Sequence, residues 1–109
     1  MNVRLYVTQR LTAAIMVPLV TVHLMVIFYA SRHGLTAAEV LARTRGSLAW
    51  ALFYGVFVVA AAIHAPIGIR TVLTEWSPLG GRSVDLVAVG IGLLLLVLGL
   101  RAVAAVVLS

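Results

Sequence analysis

The sequence predicts an all-α membrane protein with three transmembrane helices and a short surface helix in the first loop. Hydrophobic residues make up 63% of its 109 residues, and charged residues only 10%. A soluble domain of this size exposes too much surface to be covered by so few polar groups. Three apolar segments lie at about residues 11–30, 48–73 and 84–108, and each can cross a hydrocarbon layer of about 30 Å. We therefore expect residues 1–109 to form one domain within a lipid bilayer.

Turn and capping residues separate the three segments. Thr36 and Glu39 have the spacing of a capping box, which predicts a short helix over residues 37–44 on the membrane surface. Residues 77–82 contain one proline and two glycines, which predict a tight second loop. Ser83 is then expected to cap the third span, with Asp85 in its first turn.

Prolines and small residues are expected to shape the spans. Pro18 in the first span and Pro66 in the second each remove a backbone donor, which predicts a bend. Ala88, Gly92 and Gly99 follow small-residue spacing along the third span. This face is therefore expected to approach another helix closely.

The net charge of +5 comes from eight arginines without a lysine. The arginines lie scattered between apolar segments, so lipid headgroups are their expected partners and nucleic acid is not. Their distribution weakly favours a cytoplasmic N-terminus. The chain has no cysteine, which excludes iron–sulfur clusters and thiolate ligation of haem by this chain.

Two histidines lie inside predicted spans, where an ionisable side chain is costly and usually functional. His64 is flanked one turn away by Ala60, Ala61 and Gly68. Side chains this small leave room for a large flat group, so we interpret His64 as an axial ligand of haem iron. A hydrogen bond to a neighbouring helix is the alternative. His23 has bulky neighbours, and both interpretations stay open for it.

The two histidines are expected at different depths. In straight antiparallel helices, His23 lies about 4 Å beyond the bilayer centre and His64 about 8 Å on the other side. A separation of about 12 Å along the membrane normal prevents them from binding one haem iron together. A haem on His64 therefore needs a second ligand from another chain. A haem on His23 would be a second one, nearer the opposite face.

Four polar or aromatic residues are expected at the interface on the N-terminal side. The guanidinium groups of Arg10 and Arg70 suit haem propionates or a quinone carbonyl, with headgroup phosphates as the alternative. Glu75 is a candidate proton relay, and the indole of Trp76 can donate to a quinone oxygen. Anchoring in the aromatic belt is the alternative for Trp76.

The stretch from His64 to Trp76, HAPIGIRTVLTEW, resembles the second-helix signature of the membrane-anchor subunits of succinate dehydrogenase and fumarate reductase. C-type anchors carry H-x-x-x-G-x-R followed by an acidic residue, matched here by His64, Gly68, Arg70 and Glu75. D-type anchors read close to H-A-x-I-G-x-x-x-V-L-T-D-Y, with glutamate and tryptophan here in the last two positions. The family's arginine-led first helix is similar to the stretch that begins at Arg10.

This resemblance implies a subunit of succinate:quinone oxidoreductase that carries haem b but not the succinate site. Electrons would pass from a flavoprotein subunit with FAD, through an iron–sulfur subunit, to a membrane quinone. The chain would pair with a second membrane-anchor chain in a bacterial inner membrane.

The resemblance also implies residue roles. His64 is the expected axial ligand, with His23 as the ligand of a second haem. Arg10 and Arg70 would bind propionates, and Trp76, Arg10 and Glu75 would bind the quinone. The alternatives are a scaffold subunit without cofactor, or the cytochrome b subunit of another quinone-linked dehydrogenase.

Overall fold

The computed structural model describes residues 3–108, and this part of the chain is helical without any strand. Its four helices are α1 (Val3–Arg32), α2 (Ala37–Thr44), α3 (Leu48–Trp76) and α4 (Gly81–Val107). Three of them, α1, α3 and α4, are long and apolar enough to cross a membrane. The predicted fold class, with three spans and a short helix between the first two, is therefore confirmed.

Helix α1 extends beyond the predicted apolar segment. It begins at Val3, whereas the apolar segment begins near Leu11. The lead-in contains no helix breaker, so the backbone hydrogen bonds of the span continue outward past the apolar region. Pro18 and Pro66 both lie inside helices and end neither of them.

The short helix α2 is attached to the end of α4. The predicted capping box is present, because the Thr36 hydroxyl accepts from the backbone N–H of Glu39 and the Glu39 carboxylate accepts from Thr36 N–H. The buried hydroxyl of Thr44 donates to the carbonyl of Val106 at 2.6 Å. Gly46 N–H, with the positive φ that favours glycine, donates to a neighbouring α4 carbonyl at 2.7 Å. The end of α4 therefore lies beside the first loop.

The predicted N-cap of the third span is wrong. Helix α4 begins at Gly81 with Gly80 as its N-cap, and it has no side-chain cap. Ser83 lies inside the helix, and Asp85 falls beyond the first turn. Both glycines and Ser83 are exposed, so water and headgroups can satisfy the first N–H groups without a serine cap.

Helix α3 is the central element, because both α1 and α4 pack against it. The buried apolar residues include Ala60 and Ile67 on α3 and Val84 and Ala88 on α4. The expected close approach along the small-residue face is present, since a Cβ atom built on Gly99 would lie 2.5 Å from the nearest side-chain carbon of α3. Most other large apolar side chains are exposed, as expected for surfaces that face lipid or another chain.

Candidate functional site

The side chain of His64 faces α1. Its Nδ1 lies 3.2 Å from the hydroxyl oxygen of Thr12, which is only 6% exposed. The Nε2 atom has no hydrogen-bond partner among the described residues, yet it is not among the buried unpartnered atoms. The imidazole is therefore held through one nitrogen and presents the other at an accessible surface.

The side chain of Gln9 on α1 covers Gly68, one of the small residues that flank His64. A Cβ atom on Gly68, one turn after His64, would lie 3.3 Å from Nε2 of Gln9. The Oε1 atom of Gln9 is buried without a hydrogen-bond partner. The expected room beside His64 is therefore filled by α1 on the Gly68 side, and a bound group must approach from the Nε2 side.

His23 lies in an aromatic cluster. Its Nδ1 is 3.3 Å from the Tyr54 hydroxyl, and its ring makes edge contacts with Tyr54 and Phe57 at centroid distances of 5.4 and 5.5 Å. The ring lines a cavity of about 340 Å³ that also contacts Thr44 and Gly99. His23 thus has the hydrogen bond that a structural role requires, and it borders a cavity.

The two histidines occupy different levels of the helix bundle. His23 lies eleven residues after Thr12 on α1, and His64 lies ten residues after Tyr54 on α3. His64 contacts Thr12, and His23 contacts Tyr54. The level of the His64–Thr12 pair and the level of the His23–Tyr54 pair are therefore about 15 Å apart at helical rise. They cannot ligate one iron together.

The four predicted interfacial residues lie near the start of α1 and along the end of α3, and among the described residues no hydrogen bond, ion pair or ring contact joins any two of these four. Nε of Arg70 donates to the Asp85 carboxylate at 2.8 Å, and its terminal nitrogens have no partner among residues 3–108. Arg10 is exposed, with its guanidinium 5.7 Å from the Tyr6 ring centroid. Glu75 and Trp76 form the exposed end of α3, and Trp76 is 84% exposed.

Within the described part of the chain, no group of three or more metal-ligating side chains could hold a metal ion. A haem iron makes a smaller demand, because the porphyrin supplies four ligands and the protein only the axial ones. The accessible Nε2 of His64, with Nδ1 already satisfied, is the arrangement found in axial imidazoles. The residues therefore fit one axial position of a haem.

These features define a multi-pass helical membrane protein with accessible imidazoles inside its spans and charged groups at one interface. The chain belongs to the succinate dehydrogenase/fumarate reductase transmembrane subunit family, whose model matches residues 1–108. The predicted membership among the membrane anchors of these complexes is thereby confirmed. No curated protein and no solved structure matched the chain.

Replacing Asp85 by asparagine is expected to change stability little. Arg70 and Asp85 are 38% and 57% exposed, and ion pairs this accessible contribute less than about 1 kcal/mol. Thermal unfolding of the detergent-solubilised complex measures the change. Glu75→Gln is the control, since Glu75 has no ion pair in the described structure. A large loss of stability in Asp85→Asn alone would contradict this estimate.

Proposed function

We propose that this chain is the haem b-containing membrane anchor of a succinate:quinone oxidoreductase and passes electrons from an iron–sulfur subunit to a membrane quinone. The observation that carries the proposal is His64, which is held through Nδ1 inside α3 and has an accessible Nε2. A bound haem would supply a one-electron carrier inside the membrane. FAD and the iron–sulfur clusters would reside in the flavoprotein and iron–sulfur subunits.

The second axial ligand of the haem on His64 would come from a second membrane-anchor chain. His23 cannot supply it, because it lies about 15 Å away along the helices. The imidazole of His23 would serve a second haem nearer the first loop. The adjacent cavity supports this assignment.

The quinone would bind at the interface formed by the end of α3 and the starts of α1 and α4. Reduction of a quinone to a quinol consumes two electrons and two protons. One proton binds to each of the two quinone oxygen atoms. The free terminal nitrogens of Arg70 could donate to a propionate or to a quinone carbonyl. The exposed groups of Arg10, Glu75 and Trp76 would provide a second guanidinium, a proton relay and an indole donor. We assign this face to the cytoplasmic side of a bacterial inner membrane.

One observation favours a second candidate function, a scaffold subunit without cofactor. Each intramembrane histidine already has a hydrogen-bond partner on a neighbouring helix, His64 with Thr12 and His23 with Tyr54. Such bonds alone can stabilise helix packing in lipid. Haem content and quinone reduction by the isolated complex distinguish the two functions.

The test is to isolate the complex from its native membrane through a tag on this chain. We expect the flavoprotein, the iron–sulfur subunit and a second anchor to copurify. We also expect a b-type signal in the dithionite-reduced minus oxidised spectrum, and reduction of quinone by succinate. Copurification of the same subunits without haem would contradict the haem assignment and favour the scaffold. Absence of the soluble subunits would contradict the complex itself.

A further inference from the structure

We propose that Thr12 is a positioning residue that fixes the proton of His64 on Nδ1 and so directs Nε2 toward the haem iron. This inference rests on the proposed haem ligation by His64. It assigns a function to a hydroxyl group on α1 that does not itself contact the iron.

The hydrogen bonds around Thr12 determine where the protons lie. A threonine hydroxyl has one proton to donate and two lone pairs to accept with. The Thr12 hydroxyl lies 2.9 Å from the carbonyl of Thr8 and 3.1 Å from that of Gln9, and these carbonyls can only accept. Donation to a carbonyl of the preceding turn is a common arrangement for a threonine within a helix. The hydroxyl proton is therefore directed at the backbone, and the lone pairs remain for His64.

The tautomer of His64 follows from this arrangement. A lone pair on Thr12 at 3.2 Å from Nδ1 favours a proton on Nδ1. A neutral imidazole carries one ring proton, so Nε2 keeps the lone pair that a metal needs. Because Thr12 is buried, few water molecules can compete for this bond.

The other intramembrane histidine lacks such a device. The partner of His23 is the Tyr54 phenol, which has no other hydrogen bond in the described structure. A phenol can donate to a ring nitrogen or accept from it, so this contact allows either tautomer. The contact of His64 with Thr12 therefore differs from that of His23 with Tyr54, because two backbone carbonyls accept the Thr12 proton and leave its hydroxyl as an acceptor for His64.

The Gln9–Gly68 contact supports the same geometry. It lies one turn from the Thr12–His64 pair on both helices and brings α1 close to α3. A larger residue than glycine at position 68 would meet the far end of the Gln9 side chain, which would have to shift by a few tenths of an ångström. The close approach thus keeps the hydroxyl within reach of Nδ1.

The test uses the intact complex with Thr12→Val, which keeps the shape of the side chain and removes the acceptor. Partners behind a ligating histidine typically change metal affinity by about 10- to 100-fold, and we expect haem affinity to fall within this range. We also expect the haem midpoint potential to rise, because an imidazole without an acceptor on Nδ1 is a weaker electron donor to ferric iron. Thr12→Ser should retain the wild-type affinity and potential.

Thr8→Val is the matched control. It makes the same change one turn earlier on α1, where the hydroxyl donates to the carbonyl of Arg4 and does not contact His64. A wild-type affinity and potential in Thr12→Val, with haem still lost in His64→Ala, would overturn the positioning role and leave haem ligation intact. Absence of haem from the wild-type complex would overturn both the positioning role of Thr12 and haem ligation by His64.

Thr12→Cys keeps the proposal testable if the valine variant does not assemble. A thiol is a weaker acceptor than a hydroxyl, so its haem potential should rise while that of Thr12→Ser does not. Equal potentials for the serine, cysteine and wild-type complexes would overturn the proposal.

Discussion

A complex that carries His64→Ala is expected to lose more than about nine tenths of the haem bound at this position, because loss of a partner that only supports a ligand already costs about 10- to 100-fold in affinity. If His23 holds a second haem, the total signal falls to about half. The nearest polar side chains on α1, those of Thr12 and Gln9, offer only oxygen and amide groups, which replace an imidazole poorly. The reduced minus oxidised spectrum of the purified complex, normalised to its flavin content, measures the loss.

Two further histidine variants make the result specific. His33 is exposed and rests on the ring of Tyr29 at a centroid distance of 4.3 Å, so His33→Ala should keep the full haem content. His23→Ala should remove about half of the signal if each histidine holds one haem, since the two levels are too far apart for a shared iron. A complete signal in His64→Ala would exclude this residue as a ligand.

The architecture could be predicted because lipid and local turn chemistry constrain it strongly. Length and hydropathy alone predict the three spans. The short helix α2 follows from Thr36 and Glu39, whose reciprocal hydrogen bonds are local and independent of the tertiary fold. The predicted cap at Ser83 was wrong, because the helix begins at Gly81. Local capping preferences do not identify which of several adjacent polar or flexible residues starts a helix in contact with water.

The surroundings of His64 could be predicted only in part. Its depth follows from residue counting, but its partner depends on how each helix is rotated about its axis. A soluble helix reveals that rotation through its apolar stripe, whereas α1 and α3 are apolar on every side. No pattern in the sequence therefore indicates that Gln9 covers Gly68. Placing Arg10 and Arg70 at one level would set His64 opposite residue 16, one turn beyond Thr12, so residue counting alone does not indicate Thr12.

Gly99→Ala is expected to destabilise the complex, whereas Gly90→Ala on the same helix is not. A Cβ atom on Gly99 would lie 2.5 Å from Cγ1 and 3.2 Å from Cβ of Val58, but nothing lies within 4 Å of one on Gly90. Valine is stiff at χ1, so helix α4 must move away, and overpacking of this kind costs about 1–3 kcal/mol. Thermal unfolding of the solubilised complex compares the two variants. Val58→Ala should restore much of the stability lost in Gly99→Ala, because it removes the clashing methyl groups, and equal stability of the two glycine variants would contradict the close α3–α4 contact.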